Sequence, residues 1–169
     1  MKIFARISFL LVFSLGFLTT ALQAQKFGYV NSAAILAEMP EIKQAEANLE
    51  ALQKQLQKKG QEMIEKLQQD YQEVQQKVEL GQLSPVQQET EGQRLQAAQN
   101  EIAKFEQDMV AQVQKKRDEL LEPIYNRVNE AIKAVAVDQG FQFIFDQGIL
   151  LYSEESQDVS AFVKAKLGL

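Results

Sequence analysis

Between Glu41 and Asp138, nearly a hundred residues rich in Gln, Glu, Lys and Ala are interrupted only once, by the LGQLSPV segment at Leu80–Val86. No globular core of ordinary size holds two helices of that length. A chain of 169 residues built around them must project a helical hairpin away from a small remainder.

The apolar spacing supports a hairpin. Ile42, Ala45, Leu49, Leu52 and Leu56 follow alternating three–four steps, Lys59 intrudes, and Met63 continues the seam. Met63, Leu67 and Tyr71 are then four apart, a stutter that unwinds a left-handed supercoil before Val74 and Val78. The returning seam reads Leu95, Ala98, Ile102, Phe105, Met109 and Val113, and later Leu120, Ile124 and Val128. Gly81 can end the first helix, and Ser84-Pro85-Val86-Gln87 is a capping-box start for the second. So short a connection makes the helices antiparallel neighbours. Glu41–Leu80 spans roughly 60 Å and Pro85–Glu122 about 57 Å, so Pro123 falls where the second helix regains the root of the first. A kink or break there is expected to turn Ile124–Asp138 into a body.

Outside the hairpin lie β-like patches. KFGYVN, Lys26–Asn31, reads as a strand, with Asn31 or Ser32 capping a short helix over SAAILAEM and Pro40 suited to the next first turn. Near the other end, Phe141, Phe143 and Phe145 alternate in FQFIFD. Gly148 is expected to supply a positive-φ hairpin turn before a third strand, ILLY. Ser156 is expected to cap a last helix whose Val159, Phe162, Val163 and Leu167 share a face. Three short strands cannot bury their aromatic and β-branched side chains alone, so the body should oligomerise. Phe27, Tyr29, Phe141, Phe143, Phe145, Leu150 and Tyr152 are the candidate interface.

The expected fold class is therefore mainly α with a small β body (α+β). Residues 1–24 form a signal peptide, 25–40 and 123–169 the body and oligomerisation domain, and 41–122 the helical-hairpin arm. The signal has a basic start at Lys2 and Arg6 and an apolar run from Ile7 to Leu18 that is too short for a stable span. Cleavage is expected after Ala24, with Ala21 a second candidate. An uncleaved anchor is the other reading of the segment. No Cys is present to carry a lipid.

Chemistry is excluded more firmly than it is suggested. Without His or Cys, the Ser–His and Cys–His nucleophiles, the common zinc sites and thiol redox chemistry are all absent. No Gly-rich phosphate loop occurs, and Glu154–Glu155, Glu89–Glu91 and Asp108 lie in no apolar context that would raise a pKa. The chain is read as a non-enzyme with no cofactor or metal. With Lys2 and Arg6 set aside, 16 basic residues face 23 acidic ones, a net charge of −7 that argues against nucleic acid and anionic lipid.

What remains is surface. Gln makes up 19 of the 77 residues from Glu41 to Arg117, either a non-sticky inner wall or simply a soluble helix face. Ile64 beside Met63, and Val110 beside Met109, stand off the seam, and folding about Leu83–Ser84 brings these stretches to similar heights. Leu80, Leu83 and Val86 cluster at the tip. These seven residues either pack against their own stems or offer weak contacts to an apolar client, for which Met is well suited.

The order of these elements resembles the Skp or OmpH-like family of periplasmic outer-membrane-protein chaperones. KFGYVN with SAAILAEM, the Gln/Lys/Glu-rich hairpin, and DQGFQFIFDQGILLYSEESQDVSAFVKAKL carry the likeness over essentially the whole mature chain. The resemblance implies a homotrimer with a small β-barrel body and three hanging helical arms. It also implies an ATP-independent holdase that shelters unfolded outer-membrane proteins in the periplasm until they insert. Lipopolysaccharide or membrane binding is not carried over, because strongly basic arms go with it and this tip carries only Glu89 and Glu91. The alternative is a structural coiled-coil spacer or assembly protein of the envelope without a folding client. A prefoldin-like arrangement would place β-hairpins between the long helices rather than outside them.

Overall fold

A computed structural model describes residues 25–169; the expected signal segment and its cleavage site lie outside them. The elements run β1 (Phe27–Val30), α1 (Ser32–Glu38), α2 (Pro40–Glu79), α3 (Pro85–Gln139), β2 (Phe143–Asp146) and α4 (Ser160–Leu167), with short 3-10 turns at Gln147–Ile149 and Glu155–Gln157. At 1.5 Å per residue, α2 is about 60 Å long and α3 about 82 Å.

Local chemistry places each helix end. The Asn31 side chain accepts the Ala34 N–H at 2.8 Å to cap α1. Pro40 occupies the first position of α2, where its missing N–H is not needed. At the far end Gly81 adopts φ +68°, and Ser84 starts α3 with a complete capping box: its hydroxyl accepts the Gln87 N–H, and Gln87 Oε1 accepts the Ser84 N–H at 2.8 Å. Gly140 closes α3 in the left-handed conformation.

The body differs from the sequence expectation in four respects. First, the β pairing is parallel, not a hairpin: Phe27 lies opposite Phe143 and Val30 opposite Asp146. ILLY forms no strand among the described residues. Asp146 accepts the Gly148 N–H at 2.8 Å and caps the 3-10 turn, which diverts the chain before a hairpin can close. Gly148 keeps negative φ, unlike Gly81, Gly140 and Gly168, and so makes no hairpin turn. Second, the other side of β1 is met by a single bridge, Tyr29 to Asp158, with the Val159 N–H donating to Tyr29 O at 2.9 Å. Third, α4 starts at Ser160, where Asp158 accepts the Ser160 N–H. Ser156 lies in the preceding 3-10 turn. Fourth, α3 runs unbroken through Pro123 to Gln139. The ring sits on an exposed face, and the helix continues without one backbone donor rather than ending.

The core sits where these segments meet. Val30, Ile35, Met39, Val135, Val159 and Val163 are buried almost completely, and on α3 this cluster begins at Ile124. Val163 and Leu167 of the last helix, and Val159 just before it, pack into the core, whereas Phe162 stays half exposed. A polar clasp joins the ends of the two strands. Asn31 donates its backbone N–H to Ser160 Oγ at 2.9 Å and its side-chain amide to Gln147 Oε1 at 2.7 Å, and the Ser32 hydroxyl donates to Asp146. That hydroxyl, followed by the Gly148 N–H, holds the Asp146 carboxyl below the usual carboxylate range.

Candidate functional site

Two surfaces stand out, one on the body and one along the arm. On the body, the parallel register brings Phe27, Phe143 and Phe145 to one face, where the rings stack with centroids 5.8 to 6.3 Å apart. All three remain more than a third exposed. Past the turn that follows β2, Ile149, Leu151 and Tyr152 are bare, Leu151 completely so. The outer edge of β2 has no strand partner among the described residues. An open edge beside a contiguous aromatic face is a liability that a soluble monomer normally covers.

Of the seven expected interface residues, Phe27, Phe143 and Phe145 form this face, and Tyr152 is exposed further along the chain. Tyr29 is not on the face, being only 4% exposed inside the body. Phe141 also departs. It precedes β2, its N–H is tied to Ala136 O, and it packs against the core with the Lys26 ammonium 4.2 Å from its ring. Strand alternation does not yet apply at that position. Leu150 is half buried beside the turn. Ile149 and Leu151, which alternation would turn inward in a hairpin strand, are exposed instead; the signal lies in Asp146-Gln147-Gly148, an Asx-type turn that breaks the alternation.

Along the arm, the seam holds as spaced but thins outward. Ala45, Leu49 and Leu56 are buried near the root of α2, whereas Met63, Leu67 and Val74 are only half buried and Tyr71 and Val78 are exposed. Two helices have water on both sides, so a two-helix seam cannot close over its own side chains. Lys59, the intruder, lies with its ammonium 5.1 Å from the Phe105 ring, which offsets the loss of an apolar partner there. Glu41–Arg127 at the root and Asp70–Arg94 near the tip, each 2.8 Å, span the two helices, although such exposed pairs contribute little.

The candidate contact residues separate into three places. Met63 shares a cavity of about 280 Å³ with Leu67 and Ile102, and Ile64 is exposed beside it. Met109 and Val110 line another, of about 350 Å³, walled by Gln53 and Gln57. Met63 thus faces the Ile102 level, seven residues from Met109 or roughly 10 Å along α3, so the two methionines stand one above the other rather than side by side. At the tip Leu80 and Val86 are largely exposed and Leu83 is half buried. Among the described residues no helix is long and apolar enough to cross a membrane, and no group of three or more Asp and Glu residues is placed to hold a metal ion.

Residues 26–167, which hold the hairpin and the body, match the sequence profile described as outer membrane protein (OmpH-like). The chain belongs to the OmpH-like family. A crystal structure from Caulobacter crescentus CB15, named as an OmpH-like outer membrane chaperone, superimposes with a TM-score of 0.72 at 17% identity, covering 88% of this chain and 87% of that one. At that identity the likeness establishes the fold. No curated protein sequence matches. In this OmpH-like chain the arm and the two-strand body are therefore the family's fold, and the aromatic face and arm cavities are its exposed chemistry.

Proposed function

We propose that this OmpH-like chain is a periplasmic, ATP-independent holdase, exported by a signal peptide cleaved after Ala24. It acts as a homotrimer and shelters unfolded outer-membrane proteins between its arms. The observation that carries this reading is the contrast in exposed chemistry: one aromatic face with an open strand edge at the body, and arms whose walls are polar, of amide and charged side chains, with scattered apolar openings. Three copies joined through Phe27, Phe143 and Phe145 would cover the first and leave the second free.

The arm suits a client that must be held without being folded. An unfolded β-barrel segment exposes alternating apolar side chains that aggregate by edge pairing. Weak contacts at Met63, Ile64, Met109 and Val110, multiplied over three arms, retain it by avidity. Polar walls between those contacts impose no alternative structure. The role requires no catalytic step, in keeping with a sequence that lacks His and Cys.

The test is aggregation of a urea-diluted outer-membrane barrel protein with and without the mature chain, the mass of both chain and complex being read by light scattering. Suppression near one trimer per client without ATP is expected. A clean trimer that leaves aggregation unchanged would replace the holdase with a structural spacer of the envelope.

A further inference from the structure

Near the root of the arm, two cavities meet at one side chain. The first is the opening of about 350 Å³ between Gln53 and Gln57 of α2 and Met109–Arg117 of α3. The second, about 460 Å³, lies between α1, α2 and α3 and is walled by Leu36, Ile42, Leu49, Leu121 and Tyr125. Arg117 lines both. From Met109 to Tyr125 the groove runs roughly 24 Å.

Among the described residues Lys43, Lys59, Lys66, Lys104 and Arg117 of the arm form no ion pair, and of these Arg117 alone has no carboxylate three or four residues away. Lys54, Lys58, Lys77 and Arg94 each pair with a carboxylate three or four residues away. The corresponding neighbours of Arg117 are Val113, Gln114, Leu120 and Leu121, and it forms no ion pair among the described residues. Val113, Leu121 and Tyr125 lie beside it, and although Glu46, Asp118 and Glu122 also line its cavities, none of them takes its guanidinium donors, which leaves them for a carboxylate gripped by two parallel hydrogen bonds.

We infer that this groove binds an extended polypeptide segment of about seven residues, in which apolar side chains flank one carboxylate seated on Arg117. A polypeptide is favoured over a fatty acid because Gln53, Gln57 and Gln114 line the groove. Their amides match the alternating N–H and C=O groups of an extended backbone, whereas an acyl chain would leave them unpaired. Glu46 on the α2 wall of the root-ward cavity repels a second acid there, so the segment places uncharged side chains toward Tyr125. The inference deepens the holdase reading and rests on it for the identity of the bound chain: it gives an acidic protein one defined cationic contact.

Two N-acetylated, C-amidated heptapeptides alternating Leu or Tyr with Ser, identical except for a central Asp or Lys, would be titrated into the mature protein by fluorescence anisotropy. The Asp peptide is expected to bind about tenfold more tightly, the scale of one charge-assisted contact. Arg117→Glu should reverse the order, and Tyr125→Ser should weaken both peptides together. Both positions are exposed, so neither variant endangers folding, and unchanged helicity and assembly mass would verify that. Equal binding of the two peptides, or a preference that survives Arg117→Glu, would overturn the groove. Aggregation suppression run in parallel separates the two ideas. Suppression without charge sorting removes the groove and leaves the holdase, whereas charge sorting without suppression leaves the groove and removes the holdase.

Discussion

The body and the arm hold themselves together by different means. The body concentrates nearly all of the fully buried side chains, from Ile35 and Met39 to Val159 and Val163, in a space crossed by every element. The arm past Leu56 has only Leu95 buried and relies on length, capping and half-buried seam contacts. A packed body loses several kcal/mol to one truncation, whereas a two-helix arm spreads its stability over many small increments. The region that fixes the architecture is therefore brittle, and the projecting arm is tolerant.

The sharpest way to break that contrast is at the aromatic face. Phe143→Asp with Phe145→Asp should lower the assembled mass from trimer to monomer by light scattering. A trimer that survives would move the interface elsewhere. Next in size, Met39→Ala empties a wholly buried site and should cost about 2–5 kcal/mol in urea denaturation. Val74→Ala, half buried far out on the arm, should cost under about 1 kcal/mol. Equal losses would erase the distinction between the two regions.

A functional contrast comes third. Ile64→Glu with Val110→Glu places charges at the arm openings and should weaken client retention severalfold while leaving helicity and assembly mass unchanged. Retention equal to the parent chain would return both residues to local packing.

Acid supplies a smaller effect confined to the body. The Asp146 pKa is lowered by the Ser32 hydroxyl and the Gly148 N–H, so its contribution to stability is present above the unfolded value, about 3.9. It is lost as pH falls through the depressed folded value. Asp146→Asn should flatten the dependence of Tm on pH below about pH 4. An identical profile in parent and variant would show that the clasp contributes nothing to acid sensitivity. Smallest of all, Gly60→Ala should stabilise α2 by roughly 0.5–1 kcal/mol. An added methyl would meet the Phe105 ring at an ordinary 3.5 Å, and thermal unfolding of the two proteins would read the gain.

The contrast also explains what could be read from the sequence. The arm is local: its seam spacing, the Ser84 capping box and Gly81 act over a few residues, and each appears in the structure where the pattern put it. The body is non-local. Nothing near Phe143 reveals that its partner is Phe27, 116 residues away and parallel. A hairpin to ILLY was the economical reading because adjacent strands are usually antiparallel. Asp146 overrides it by capping a turn, and Phe141 faces the core because it stands outside the strand. Pro123 shows the same limit, since neighbouring packing carries α3 past a residue that propensity alone would make a break. The candidate contacts were legible as residue types but not as places. Met63 and Met109 occupy separate openings because the helical register, not the midpoint of the loop, sets their heights.

The pairing of β1 with β2 also determines the order in which this molecule can come into being. The hairpin can zip from its capped tip, each turn of α2 meeting α3 across a short closed loop, which is entropically the least demanding way to grow. Strand β1 leads the described chain, yet it has nothing to pair with until the last quarter of the sequence is present and α2 and α3 have drawn the two ends together. The arm is thus a folding device before it is a surface, converting a separation of 116 residues into a contact between neighbours. The proposed assembly through the aromatic face would then have to wait until β2 is made, because a copy without Phe143 and Phe145 lacks that face.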